Sequence, residues 1–118
     1  MITGKVIAID FDGTITKENL YPGIGEIRPN VFEAIRKIQE LGNHPFIWTC
    51  RQGSALRSAM KLLKDNGLYD IPFNQCVYDI SIACGRKPIA DYYIDDHNLF
   101  TPEIDWYEIE KFFTDGEE

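Results

Sequence analysis

The sequence predicts an α/β protein, a single Rossmann-like parallel sheet with helices on both faces. Three observations carry that expectation. Short apolar runs rich in β-branched and aromatic residues alternate along the chain with stretches of helical periodicity. The clearest of these runs end on polar residues, Asp10, Thr49 and Asp95, as strands do where an open parallel sheet gathers its chemistry. No apolar run approaches the ~20 residues of a membrane helix.

The first run, Val6-Ile7-Ala8-Ile9, reads as a strand buried on both faces and leads into Asp10-Phe11-Asp12-Gly13-Thr14. Side chains alternate across a strand, so Asp10 and Asp12 share a side for as long as the chain stays extended. Gly13 permits a sharp departure, and the Thr14 hydroxyl can tie the turn down. Residues 15–28, with Pro22, Gly23 and Gly25 between apolar anchors, read as a loop too short for a folded insert. A helix is expected from Pro29 or Asn30 to Leu41, with Val31, Ala34, Ile35, Ile38 and Leu41 in one stripe. Asn30 and Glu33 would form its capping box, and Gly42 would close it.

Pro45 to Thr49 reads as a second buried strand, and Trp48, turned away from the Thr49 side, as core. A helix from Ser54 to Asn66-Gly67 would bury Leu56, Ala59, Met60 and Leu63. Ile71-Pro72-Phe73 is a candidate brief strand, and Val77 to Cys84 reads as loop or weak strand. Ala90 to Ile94 is the last clear strand, ending in Asp95-Asp96. Asp105 and Glu108 fit a capping box for a final helix through Phe113, and Thr114 to Glu118 reads as a frayed acidic tail.

The chain of 118 residues is one domain in size, and its first residues do not form a signal peptide. Cys50, Cys76 and Cys84 lack paired metal-ligand spacing and read as buried thiols rather than bridges, which points to a reducing, cytoplasmic setting. A net charge of −7 argues against a surface built for non-specific nucleic-acid binding. It leaves room for a phosphorylated substrate if a cation bridges the two. Cys50 and Arg57 are one residue too far apart for a cysteine-phosphatase loop, and Gly23-Ile24-Gly25 lacks the strand a dinucleotide fingerprint needs.

In a parallel sheet the carboxyl ends of the strands lie along one edge, so Asp10, Asp12, Thr49, Asp95 and Asp96 converge there. Four carboxylates at one edge would be pushed towards protonation without a cation among them. Oxygen ligands with no thiolate or imidazole nearby favour Mg²⁺ over Zn²⁺.

In these residues the chain resembles the haloacid dehalogenase superfamily of phosphohydrolases. Asp10-Phe11-Asp12-Gly13-Thr14 matches the family's DxDGT, and Thr49 its strand-ending hydroxyl. Lys87 matches its basic residue, although the adjacent Arg86 is an alternative, and Asp95-Asp96 matches its acidic pair. The resemblance spans residues 5 to about 100 and implies a phosphomonoesterase that works through an aspartyl-phosphate on Asp10. Asp10, Asp95, Asp96 and the Asp12 carbonyl would hold Mg²⁺. The Asp12 carboxyl would act as general acid and base, Thr49 would bind a phosphoryl oxygen, and Lys87 would balance charge. The chemistry needs the ion, since two unit charges ~4 Å apart interact by ~4 kcal/mol at an effective dielectric of 20.

Neither slot in which relatives carry a cap, residues 15–28 or 68–86, holds a domain here, so the resemblance implies a capless, open site. Such a site suits a phosphorylated macromolecular end, or a phosphorylated small molecule covered by a neighbouring subunit in a homo-oligomer. Tyr21, Arg28, Arg51 and His97 would edge the opening, with Arg51 touching substrate. Two other readings remain: a phospho-aspartate signalling module like response-regulator receiver domains, and a catalytically silent binding protein. Receiver domains carry the acidic pair first and the phosphoacceptor mid-chain, the reverse of the order here.

Overall fold

The computed structural model describes residues 1–78, 86–97 and 103–117. Along them run β1 (Val6–Asp10), α1 (Val31–Glu40), β2 (His44–Trp48), α2 (Gly53–Asp65), β3 (Tyr92–Ile94) and α3 (Trp106–Asp115). The strands form a parallel sheet in the order β2-β1-β3. Asp10 lies opposite Trp48, and Ile9 opposite Ile94. This register brings Thr49 and Asp95, each one residue further on, to the same edge as Asp10. Phe73 adds a single parallel bridge to Ile47 outside β2, which is the extent of the brief strand expected at residues 71–73.

Strand β1 is central because its sequence suits no other place. Val6, Ile7, Ala8 and Ile9 are all buried, which requires cover on both faces. On one face Ile7 and Ile9 join Ile47 and Ile94 against Val31, Ala34, Ile35 and Ile38 of α1, Ala59 and Leu63 of α2, and Trp106 and Phe113 of α3. On the other, Val6, Ala8 and Phe46 pack with Trp48, Cys76, Ala90 and Tyr93. Among the described residues no helix reaches that second cluster. Among the described residues the three helices thus pack on one face, and the expected cover of the other face by a helix is not found there. The α1 stripe falls where expected, whereas in α2 Met60 is exposed and Ala55 is buried in its place.

Two ends of the chain differ from expectation. Asn30 caps nothing with its side chain: it stands at φ 65°, and its amide instead donates to the Trp106 carbonyl (3.3 Å) and to Glu110 (3.2 Å), tying α1 to α3. Asp105 does cap α3, accepting from the backbone N–H of Tyr107 and Glu108. The helix then runs to Asp115, and Gly116 lies against Ile2, so this part of the tail is docked rather than frayed. Asn43 is a buried hub, accepting from Lys5 N–H (3.0 Å) and donating to the carbonyls of Ile2 (2.8 Å) and Ile38 (3.1 Å).

Cys50 is disulfide-bonded, which overturns its reading as a thiol, and with it the inference from cysteine usage to a reducing compartment. Cys76 is a free, half-buried thiol; Cys84 lies outside the described residues. Among those residues no helix is long and apolar enough to cross a membrane.

Candidate active site

The turn after β1 is built by its own sequence. The Phe11 carbonyl receives the N–H groups of Thr14 (3.3 Å), Ile15 (3.0 Å) and Thr16 (3.4 Å), wrapping the chain tightly around it. Gly13 stands at φ 84°, and a Cβ there would lie 2.2 Å from Asp96 Oδ2. Only glycine allows this turn to meet the carboxylate that follows β3. The Thr14 hydroxyl donates to Asp10 Oδ2 (3.3 Å), the tie expected from the sequence. From the far side the Trp106 indole donates to the Thr14 carbonyl (3.0 Å), anchoring the turn to α3.

The register then brings acidic groups together. Asp10, Asp96 and His97 offer ligand atoms that all lie within 4.8 Å of one another. His97 Nε2 is 3.2 Å from Asp96 Oδ1. Burial, and after it the neighbouring Asp96 charge, raise the Asp10 carboxyl from 3.8 to about 7. A carboxyl that is half protonated near neutrality is a poor nucleophile, and a cation between Asp10 and Asp96 would relieve both causes. The residues therefore fit a divalent ion, with His97 as an additional ligand that the sequence reading left at the rim, so the oxygen-only set from which Mg²⁺ was preferred over Zn²⁺ is corrected to one that includes an imidazole.

Of the other expected side-chain ligands, Asp95 lies outside this group. Asp95 is buried and accepts the His97 N–H (2.8 Å), so it shapes the turn that presents Asp96 and is not part of the group. The Asp12 carboxyl faces Arg51, not Asp96. Arg51 Nε donates to Asp12 Oδ2 (2.8 Å) and Nη2 to Oδ1 (2.6 Å), a bidentate pair. The same guanidinium donates to the carbonyls of Pro22 (3.1 Å), Ala55 (3.2 Å) and Gly23 (2.6 Å). All five of its N–H groups are thereby engaged, and it lies between the Phe11 and Tyr21 rings. Arg51, expected to touch substrate, lines the cavity described below and is also a buried clamp holding Asp12, the 20–23 loop and the start of α2 together.

Arg28 is likewise inward, donating to the carbonyls of Thr16 (3.2 Å), Gly13 (2.9 Å) and Ile104 (3.3 Å). It braces the turn rather than edging the opening. Lys87 is exposed, with its ammonium 4.3 Å from the Tyr93 ring centroid. Arg86, its alternative, is exposed as well, and neither is among the residues that line the cavity described below.

Thr49 is buried beside the acids. Its oxygen accepts the Arg51 N–H (3.1 Å), so its own proton remains free to be donated. The Asn74 side chain fixes it from outside, accepting from Thr49 N–H and donating to Thr49 C=O, both at 2.9 Å. Together Asp10, Asp12, Thr49, Arg51, Tyr21 and His97 line a cavity of about 450 Å³. Asn19 and Cys50 also line it, and neither was foreseen. Only the polar Asn19-x-Tyr21 pattern, here a short turn in which Asn19 accepts the Tyr21 N–H (3.0 Å), could have hinted at it.

No protein-family model and no curated protein matches this chain. A solved structure does: that of a conserved protein coded by a locus of Bacteroides thetaiotaomicron. It shares 32% identity and a TM-score of 0.78, over 97% of this chain and 93% of that one.

Proposed function

We propose that this chain, which belongs to the same family as the conserved Bacteroides thetaiotaomicron protein, is a Mg²⁺-dependent phosphomonoesterase of the haloacid dehalogenase type without a cap. The observation that carries the reading is the Asp10–Asp96–His97 group at the sheet's carboxyl edge, with Asp10 raised to about 7 by burial and by Asp96. A lone solvated aspartate would not show it. Asp10 and Asp96, with His97 beside them, would hold the ion, which when bound neutralises charge on both the nucleophile and the phosphate.

In the proposed reaction an Asp10 oxygen attacks phosphorus while the ester oxygen leaves, giving an aspartyl-phosphate that water then hydrolyses. Thr49 donates its free hydroxyl proton to a phosphoryl oxygen. Asp12 gives a proton to the leaving oxygen and takes one from the attacking water. Both of its oxygens are shared with Arg51, so proton delivery requires one of those bonds to open. The cavity is open on the side of Tyr21 and His97, which admits a large phosphorylated substrate.

The test is turnover of p-nitrophenyl phosphate with and without Mg²⁺, in the wild type and in Asp10→Asn. Turnover that needs Mg²⁺ and is lost in the variant is the expected result. Stable phosphorylation without turnover would indicate a receiver-like module, and no reaction at all a silent binding protein. Either outcome sinks the proposal.

A further inference from the structure

A second cavity, of about 400 Å³, lies along α2 and is unlike the rest of the surface. In a chain of net charge −7, its eight lining residues include Arg57, Lys61 and Lys64 and no acidic residue. These cations follow one another at i, i+4 and i+7, on one helix face over a rise of about 10 Å. Lys61 is paired with Asp65 at the margin, whereas among the described residues Arg57 and Lys64 have no ion pair. Between the cations the walls are broad and apolar: Tyr69, three-quarters exposed, Met60, nearly half exposed, and Phe73.

The groove and the candidate active site share no lining residue but are joined through neighbours in the chain. Phe73 precedes Asn74, whose amide holds Thr49 by two hydrogen bonds. Arg57 lies two residues beyond Ala55, whose carbonyl accepts from Arg51. A chain whose terminal phosphate entered the acidic site would therefore lie along α2 as it left.

We propose that this groove binds the strand of a single-stranded nucleic acid whose terminal phosphate is the substrate of the acidic site, a proposal that rests on the phosphatase reading. Cations spaced along a helix match a polymer with one charge per unit. Exposed aromatic and thioether surface between them matches flat bases, which stack on any such face without reading sequence. An acidic peptide would use the cations and leave Tyr69 and Phe73 without a role.

The proposal is tested with the full chain carrying Asp10→Asn, in Mg²⁺, by anisotropy of labelled single strands of two, six and twelve nucleotides bearing a terminal phosphate. Affinity should rise with length, and for two to three phosphate contacts log K should fall against log salt with a slope between about −1.4 and −2. Arg57→Glu with Lys64→Glu should weaken the twelve-nucleotide strand at least tenfold and flatten that slope. Tyr69→Ala should weaken it without changing the slope. In the Asp10 background, p-nitrophenyl phosphate turnover of the same charge-reversed pair should match wild type. Length-independent affinity, indifference to the charge reversal, or tighter binding of a phosphorylated acidic peptide of equal charge would overturn the nucleic-acid assignment. Wild-type inactivity towards p-nitrophenyl phosphate would count against the acidic site, leaving the binding result to be judged by itself.

Discussion

Arg51 decides how the site is put together. It is buried against Asp12 at both oxygens, and three backbone carbonyls take its remaining donors. Removing one member of a buried pair leaves the other uncompensated, at a cost of about 3–5 kcal/mol. Arg51→Met should therefore lower stability to urea by that amount, and an unchanged unfolding midpoint would show the clamp to be dispensable. Arg51→Lys keeps the charge but cannot bridge a carboxylate and span the loop. It should lose more turnover on alkyl phosphates, which need a proton on the leaving oxygen, than on p-nitrophenyl phosphate. Equal losses would mean that Arg51 does not position Asp12. At Gly13, Ala would displace Asp96, so Gly13→Ala should fold yet lose the rise in melting temperature that Mg²⁺ gives the wild type. Asp10, Asp12, Thr49 and Asp96 were legible in the sequence because each ends an apolar strand or opens the turn after it. Arg51 was visible too, but its role was not. Its partners are mostly carbonyls of Pro22, Gly23 and Ala55, and backbone acceptors leave no mark on residue identity.

The elements themselves were legible to within a residue or two, since β1, α1, β2 and α2 carry unmixed periodicities. What periodicity cannot express is which face of a sheet a helix covers, and so three helices on one side were not foreseen. The Asn30 cap failed for a similar reason. Its amide is taken by Trp106 and Glu110 of α3, more than 70 positions away, so a tertiary contact overrides a local signal. Lys87 was placed by its nearness to the final strand, and its ammonium rests on the Tyr93 ring of that strand. Asn43 links the chain start, the end of α1 and the approach to β1 through three buried hydrogen bonds. Asn43→Ala would strand those backbone groups, and a loss of about 2 kcal/mol in chemical denaturation is expected. A change within a few tenths would mean that water replaces the amide there.

For the whole molecule, the acidic edge is a cost that the metal-free protein carries. Folding raises the Asp10 carboxyl from 3.8 to about 7, so between those pH values the folded chain holds a proton that the unfolded chain releases. Metal-free stability should therefore fall as pH rises from about 4 to about 7, and level off above. Saturating Mg²⁺ should abolish most of that fall at pH 7, and EDTA should restore it. Stability that climbs over the same range, or ignores Mg²⁺, would remove the ground for a cation at this site.

Strand β1 is hydrogen-bonded to a neighbour on each side, while the stretch from Pro22 to Gly23 leans on a single guanidinium. Asp10 thus stands on a stiff support and the wall of its cavity on a loose one. Gentle warming should silence the protein before it melts it. Backbone deuterium uptake would appear first around residues 20–24 and last at Ile7 to Ile9, with catalysis fading in step with the former.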